Sequence, residues 1–217
     1  MNIRHNISEV LARIDKAAKK AGRDPEAVKL IVVTKEASEG EIREAISSGQ
    51  LELGENRVNE ALLKQKTIKN ARWHMIGHLQ TRKAKDAVRI FTLIHSVDSI
   101  KLAEKIDAES TKRDKKQDLL IEVNTSGEKN KFGIAPAELE DFIKETARLK
   151  SIKIKGLMTM APFSGNAEDS RVFFRKLREL ADKNNLKELS MGMTQDFEVA
   201  VAEGATMVRI GSAIFKE

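Results

Sequence analysis

A lysine at the end of an apolar strand is the first candidate for chemistry in this sequence. Lys35 follows four apolar residues in KLIVVTKEAS, Lys29–Ser38, and the β-branched side chains there are typical of a buried strand. Such a side chain can simply extend its charged end into water. In a partly desolvated pocket, however, the charged form of an amine is disfavoured, and a neutral amine can attack a carbonyl to form a Schiff base.

A second group of candidates is rich in glycine and hydroxyl side chains. Ser190 and Gly192 belong to SMGMT, whereas Gly211 and Ser212 belong to RIGS. Backbone N–H and hydroxyl groups beside glycine can form a cradle for phosphate. Alternatively, the glycines serve turns and the serines cap helices. The fold has to decide between these two interpretations.

Apolar runs of strand length alternate with amphipathic helical segments along the chain. Ser38 and Glu41 form a capping box for the helix after the first strand. The pattern predicts a single (β/α)8 TIM barrel domain over residues 1–217, with an extra N-terminal helix that covers the barrel after strand eight. An open doubly wound sheet is the alternative, which the lack of G-x-G-x-x-G after the first strand disfavours. The predicted strands lie in KLIVVT, LELG, RWHMIG, TLIHSV, QDLLIEVNT, IKIKGLMTM, ELSMGM and ATMVRIGSAIF.

In a barrel of this kind, functional groups lie at the carboxyl ends of the strands. The candidate residues of this sequence are predicted to lie together at that end of the barrel. These ends carry Lys35, Gly54–Asn56, Gly77–His78, Asn124, Met160, Ser190–Thr194 and Arg209–Ser212. An amine that shares a pocket with a phosphate cradle suits a phosphorylated aldehyde. Pyridoxal 5′-phosphate fits this description, and so does a sugar phosphate in a Schiff-base aldolase.

Composition narrows the class of protein. The 217 residues contain no cysteine, which excludes disulfides and thiolate metal sites. No apolar run approaches membrane-spanning length and no signal peptide is recognisable, so we expect a cytoplasmic protein without a membrane partner. The net charge is +6, yet aromatic residues make up only 4% and none lies within the basic run KRDKKQ, so we expect no nucleic-acid partner.

Several motifs together carry a resemblance to a known family. They are VVTKEAS, GENRVNE, WHMIGHLQTRK, HSVDS, VNTSGEKNKFGI, GLMTMAP and LSMGMTQDFEVAVAEGATMVRIGSAIF, and they cover nearly the whole chain. In this order they resemble the pyridoxal phosphate homeostasis proteins, which are barrels similar to the N-terminal domain of alanine racemase. The long final motif is highly specific.

The resemblance implies roles for individual residues. Lys35 would hold pyridoxal 5′-phosphate covalently as an internal aldimine, while Ser190, Gly211 and Ser212 would bind its phosphate. Arg209 would face the pyridine nitrogen. Three further residues are expected at the cofactor: Met160 on the ring face, Asn56 beside it, and His78 near the mouth or as a structural hydrogen bonder. Lys131 takes the place of a racemase arginine, which leaves that contact open.

Two features argue against strong catalysis. Arg209 stays protonated, so it can only donate to an unprotonated pyridine nitrogen, and such a ring is a weak electron sink. The chain contains no tyrosine, the residue that alanine racemases use as their second base. It also ends at Glu217 soon after strand eight, so we expect the second racemase domain to be absent.

The leading hypothesis is therefore a pyridoxal phosphate carrier or regulator with little catalysis of its own. It would hold the aldehyde and pass it to pyridoxal phosphate-dependent apo-enzymes, with effects on amino-acid and keto-acid pools. A weak amino-acid racemase or related enzyme remains the alternative. Alanine racemases dimerise largely through the missing domain, so we expect a monomer.

Overall fold

Eight parallel strands close into a barrel in the computed structural model, which describes residues 2–216. Each strand pairs with the next along the chain, and β8 closes the ring on β1 with Ile31 opposite Arg209. The predicted (β/α)8 barrel is thus confirmed. The strands are β1 Lys29–Val33, β2 Glu52–Glu55, β3 Arg72–Met75, β4 Leu93–Val97, β5 Gln117–Glu122, β6 Ile152–Met158, β7 Glu188–Ser190 and β8 Met207–Ile210.

Helices surround the barrel and connect successive strands. The capping box before the second helix is present, since the Ser38 N–H donates to the Glu41 carboxylate at 2.7 Å. The helices are α1 Ile3–Lys20, α2 Glu39–Ser47, α3 Val58–Thr67, α4 Ala84–Ile90, α5 Ile100–Thr111, α6 Leu139–Thr146, α7 Arg171–Lys183, α8 Phe197–Ala202 and α9 Ser212–Phe215. Short 3-10 turns cover Pro25–Ala27, Thr81–Lys83, Pro136–Glu138 and Ala167–Ser170.

The N-terminal helix covers the barrel wall as predicted. Its buried residues recur every three or four positions, from Ile3 to Ala18, and this spacing forms one apolar face. The helix packs against α8, α9 and α2, so it lies where a longer helix after β8 would otherwise lie. The Asn6 side chain donates to the Ile214 carbonyl at 3.0 Å and fastens α1 to α9.

The last strand ends within Arg209–Ser212, as the sequence predicts, but a helix follows it directly. The sequence predicts a strand in ATMVRIGSAIF; β8 occupies Met207–Ile210 of this segment, and α9 begins at Ser212. The N–H groups of Ile214 and Phe215 donate to the Gly211 carbonyl at 2.9 and 3.0 Å. This local pairing turns the chain away from the sheet and leaves Gly211 at the mouth of the barrel.

An apolar cluster occupies part of the inside of the barrel below its carboxyl end. It consists of Ile31, Leu93, Leu120, Met158 and Met207. These side chains come from five different strands and are separate from the larger core between strands and helices. The barrel is therefore packed rather than hollow, and any site must lie above this cluster. Within residues 2–216, no helix has the length and apolar character needed to cross a membrane.

Candidate functional site

A cavity of about 710 Å³ opens at the carboxyl ends of the strands. Seven of the eight residues predicted to bind the cofactor line it, while Ser190 does not. The seven are Lys35, Asn56, His78, Met160, Arg209, Gly211 and Ser212. The barrel therefore brings together residues that lie up to 177 positions apart in the sequence, from 35 to 212.

Lys35 lies in the turn after β1 and is one of the residues that line the cavity. Half of its side chain (50%) is exposed, and its Nζ lies 3.7 Å from a carboxylate oxygen of Glu36. This setting is more open than the partly desolvated pocket that the sequence interpretation expects. Lys216 also lines the cavity and pairs with the same Glu36 at 2.9 Å, so two amines are present at this rim.

Arg209 contributes a buried positive charge to the cavity wall. Its Nη1 donates to the Ser190 hydroxyl at 2.6 Å, and its Nη2 donates to the Thr159 carbonyl at 3.0 Å. Burial lowers the pKa of the guanidinium to about 10, although the carboxylates of Glu122 and Asp196 oppose this shift. Arg209 therefore remains protonated at neutral pH and keeps further N–H donors for a ligand.

Ser190 is not among the residues that line the cavity, and its predicted contact with a phosphate stays a prediction. It is fully buried, and besides Arg209 its hydroxyl contacts the His95 Nδ1 at 2.8 Å. The alternation of side chains along β7 points Ser190 into the barrel, but one layer too deep to reach the mouth. Its contacts make it a support for Arg209.

Hydroxyl groups at the mouth come instead from the segments that follow β7 and β8. The Ser212 hydroxyl donates to the Thr194 hydroxyl at 3.0 Å, and both residues line the cavity. A Cβ atom at Gly211 would lie 3.1 Å from the Val33 carbonyl oxygen, so glycine permits this close approach. At Gly192, φ is +90° and a Cβ would lie 2.5 Å from the Ala200 side chain. This part of the mouth has the composition of a phosphate cradle.

The opposite wall of the cavity holds a stacked histidine. The His78 ring lies parallel to the Phe132 ring at a centroid distance of 3.9 Å, and its Nδ1 is 3.2 Å from the Asp98 carboxylate. Burial raises the pKa of Asp98, an effect that the neighbouring His78 opposes. Phe132 and Asp98 thus hold His78 from two sides. This agrees with the structural hydrogen-bonding role, which is one of the two roles that the sequence predicts for His78.

The three remaining predicted contacts differ in position. Met160 packs against the apolar cluster inside the barrel and forms part of the cavity floor. Asn56 follows β2 and lines the cavity before α3 begins. Lys131 pairs with Glu128 at 2.6 Å and is not among the cavity-lining residues, whereas its neighbour Phe132 is.

Several residues near the site were not recognised from the sequence. Burial and the nearby Asp98 raise the pKa of Glu122 to about 7, although Arg209 opposes this shift. His74 and His95 lie inside the barrel beneath Arg209. The available signal was strand alternation, because these three residues occupy inward positions on β3, β4 and β5.

Comparisons with known proteins agree with the geometry. Residues 2–217 match the family model for the alanine racemase N-terminal domain. A pyridoxal phosphate homeostasis protein of Aquifex aeolicus is 44% identical, with 100% of this chain and 99% of that protein covered. PipY of Synechococcus elongatus, solved with pyridoxal phosphate bound, is 36% identical with a TM-score of 0.80, covering 94% of this chain and 99% of that one. A Bifidobacterium adolescentis protein of unknown function is 36% identical with a TM-score of 0.92, covering 99% and 94% of the two chains.

Proposed function

The chain belongs to the pyridoxal phosphate homeostasis proteins, a family within the alanine racemase N-terminal domain group, and we propose that it binds pyridoxal 5′-phosphate in the cavity described above. The main observation behind this proposal is the set of polar groups that line the cavity. An amine, a buried guanidinium and a pair of hydroxyl groups line one cavity of about 710 Å³. These groups match the aldehyde, the ring nitrogen and the phosphate of the cofactor.

Lys35 supplies the amine. When bound, pyridoxal phosphate supplies an aldehyde that a primary amine can hold through a covalent carbon–nitrogen bond. The position of Lys35 after β1 lets its side chain reach over the cavity, and the Glu36 carboxylate lies 3.7 Å from its Nζ as an ion-pair partner. The half-exposed side chain supports reversible attachment, because water and other amines can reach the same place.

Arg209, Gly211, Ser212 and Thr194 orient the ligand from the other side. The phosphate is dianionic near neutral pH, so hydroxyl donors and a nearby cation favour it. Arg209 is protonated and can only donate a hydrogen bond, so it holds a pyridine nitrogen without protonating it. Met160 offers an apolar surface on the cavity floor for one face of the ring.

These features support a carrier or regulator of pyridoxal phosphate rather than an efficient enzyme. A ring without a proton on its nitrogen is a poor electron sink, and the chain offers no tyrosine as a second base. We further propose that the monomeric protein, in the cytoplasm, passes the cofactor to pyridoxal phosphate-dependent apo-enzymes. Phe163 on the cavity rim is 83% exposed, which would suit brief contact with a recipient protein.

The proposal is tested by the visible spectrum of the protein after it has been mixed with pyridoxal phosphate and separated from unbound cofactor, which is itself yellow. The native protein should turn yellow, and borohydride should fix the cofactor irreversibly. Lys35→Ala should remain colourless and unmodified. Lys216→Ala is the matched control because it removes the other amine at the same rim, and it should keep the colour. Persistent colour in Lys35→Ala, or its loss only in Lys216→Ala, would contradict the assignment.

The carrier role has a separate test. Amino acids added to the loaded protein in deuterated water should exchange their α-proton no faster than they do with free pyridoxal phosphate. Rapid exchange with turnover would support the racemase alternative instead.

A further inference from the structure

A chain of hydrogen bonds runs through the barrel from its amino-terminal end to the cavity. The Glu52 carboxylate lies 2.8 Å from the His74 Nε2, and the His74 Nδ1 lies 2.9 Å from the His95 Nε2. The His95 Nδ1 is 2.8 Å from the Ser190 hydroxyl, which receives the Arg209 donor at 2.6 Å. Four strands besides β8 contribute one member each, and three of the five residues are at most 3% exposed.

The Glu52 end fixes the direction of this chain. The Glu52 carboxylate also accepts from the Arg72 Nε at 2.8 Å, and although burial raises its pKa, the hydrogen bonds from His74 and Arg72 outweigh burial and lower it. The carboxylate is therefore ionised at neutral pH and can only accept a hydrogen bond. The hydrogen between the Glu52 oxygen and the His74 Nε2 must therefore be bonded to the His74 Nε2.

The Arg209 end fixes the same direction independently. A guanidinium has no acceptor, so Arg209 donates to the Ser190 oxygen. The hydroxyl hydrogen of Ser190 then needs an acceptor, and among the described residues the His95 Nδ1 is the group that lies within reach. His95 is fully buried, and burial holds its pKa well below the usual range, so the ring is neutral and carries its hydrogen on Nε2.

The two ends meet without conflict at the pair of histidines. The His95 Nε2 hydrogen donates to the His74 Nδ1, which is an acceptor when His74 is neutral. Every donor then has an acceptor. If His74 instead donated to His95, His95 would have to donate to Ser190, and the Ser190 hydrogen would be buried without a partner, which is costly.

We propose that Glu52, His74 and His95 are positioning residues that hold Arg209 toward the ligand through one directed chain of hydrogen bonds. The chain keeps the lone pairs of the Ser190 oxygen available to Nη1, and the Thr159 carbonyl accepts from Nη2, so two nitrogens of the guanidinium are held in place. Arg209 also lines the cavity and has N–H donors beyond these two hydrogen bonds. This inference rests on the proposed function only in that the ligand of Arg209 is taken to be pyridoxal phosphate.

The direction of the chain can be measured in the protein without cofactor. Long-range ¹H–¹⁵N spectra of histidine rings distinguish a hydrogen on Nε2 from one on Nδ1 and from a doubly protonated ring. At neutral pH, both His74 and His95 should be neutral with the hydrogen on Nε2. His74→Gln and His95→Gln assign the signals, and His5→Gln, on the exposed face of α1, is the control. A hydrogen on Nδ1 of either ring, or a charged His74, would overturn the proposal.

The effect on the ligand is measured with Glu52→Gln. The amide keeps the shape but can donate as well as accept, so only the Arg209 end still favours the original direction. We expect a minor signal from hydrogens on Nδ1 to appear and pyridoxal phosphate affinity to fall by no more than about threefold. Lys69→Gln is the control: it removes an exposed positive charge from the loop before β3, outside the hydrogen-bonded chain, and should change neither readout.

The two proposals fail in different ways. If the histidine spectra agree but pyridoxal phosphate does not bind, the directed chain stands and the proposed function fails. If pyridoxal phosphate attaches to Lys35 while Glu52→Gln leaves both the spectra and the affinity unchanged, the positioning role is wrong and the proposed function stands.

Discussion

Two lysines reach the same strand ends from opposite sides of the barrel wall. On the inside, Lys35 is half exposed and its Nζ has Glu36 at 3.7 Å. On the outside, Lys64 extends from α3 with only 19% of its side chain exposed, and its Nζ donates to Glu55 at 2.6 Å and to the Thr34 carbonyl. Thr34 directly precedes Lys35, so the Lys64 amine holds the backbone next to Lys35.

The contrast separates structural polar groups from functional ones. Lys64 neutralises a carboxylate that is fully buried, and its hydrogen bonds connect β2 with the chain that follows β1. Its bonding capacity is used within the protein. Lys35 has no such strong partner among the described residues, so its amine is available to a ligand. The same residue type therefore serves stability on one side of the wall and binding on the other.

The largest expected effect comes from replacing each of these two lysines by methionine. Lys64→Met should lower the free energy of unfolding by about 3 kcal/mol, because the buried Glu55 loses its partner, yet it should retain covalent attachment of pyridoxal phosphate. Lys35→Met should lose attachment and change the free energy of unfolding by no more than about 0.5 kcal/mol. Urea denaturation and the visible spectrum measure the two properties.

Two further variants sharpen this prediction. Lys66→Met, on the exposed face of the same helix, should behave like the native protein. Glu55→Gln combined with Lys64→Met should recover most of the lost stability, since no unpaired buried charge remains. Equal destabilisation by the Lys64 and Lys66 substitutions would contradict the structural role assigned to Lys64.

A second comparison concerns two buried carboxyl groups, Glu55 outside the barrel and Glu122 inside it. Glu55 is paired with Lys64, whereas burial and Asp98 raise the pKa of Glu122 from 4.5 to about 7. A carboxyl group with a raised pKa binds protons more readily in the folded chain. Its contribution to stability is therefore fully present below about pH 4.5 and is lost as the pH rises through about 7.

Glu122→Gln removes this dependence. Relative to that variant, the native protein should lose about 2 to 3 kcal/mol of unfolding free energy between about pH 5 and about pH 8. Urea denaturation at several pH values measures the difference. Glu145→Gln, at an exposed position on α6, should show no such trend. If the difference in unfolding free energy between the two proteins did not depend on pH, or favoured the native protein more at high pH, the raised pKa of Glu122 would be wrong.

The smallest expected effect distinguishes two layers inside the barrel. Ser190→Ala should weaken pyridoxal and pyridoxal phosphate equally, by about tenfold, because it acts through Arg209. Thr194→Val should weaken only pyridoxal phosphate, by about fivefold, because it touches the phosphate cradle. Absorbance titrations with both ligands provide the measurement. Selective loss of the phosphorylated ligand in Ser190→Ala would restore the role first predicted from the sequence.

The fold was largely predictable because the apolar residues of each strand and helix recur at the spacing typical of that element. All eight strands lie where apolar runs predicted them, and the Ser38–Glu41 capping box marks the start of α2. The helix that follows β8 was not predictable from its composition. Ser212–Phe215 contains residues compatible with a strand, and hydrogen bonds to the carbonyls of Gly211 and Ser212 make it a helix.

The site was predictable to the extent that parallel strands gather their carboxyl ends at one mouth. This rule brought Lys35, Arg209 and Ser212 to one cavity. It could not give the depth of Ser190, nor the pairing of His74 with His95. Both depend on the stagger between neighbouring strands, which is a property of the closed barrel and not of any local segment.

The most direct test of the account is a crystal structure of the protein loaded with pyridoxal phosphate. We predict continuous electron density from the Lys35 Nζ to the cofactor, with the ring nitrogen facing Arg209 and the phosphate at Gly211 and Ser212. A cofactor attached to Lys216 or Lys131, or bound with its phosphate away from these two residues, would contradict the central claim.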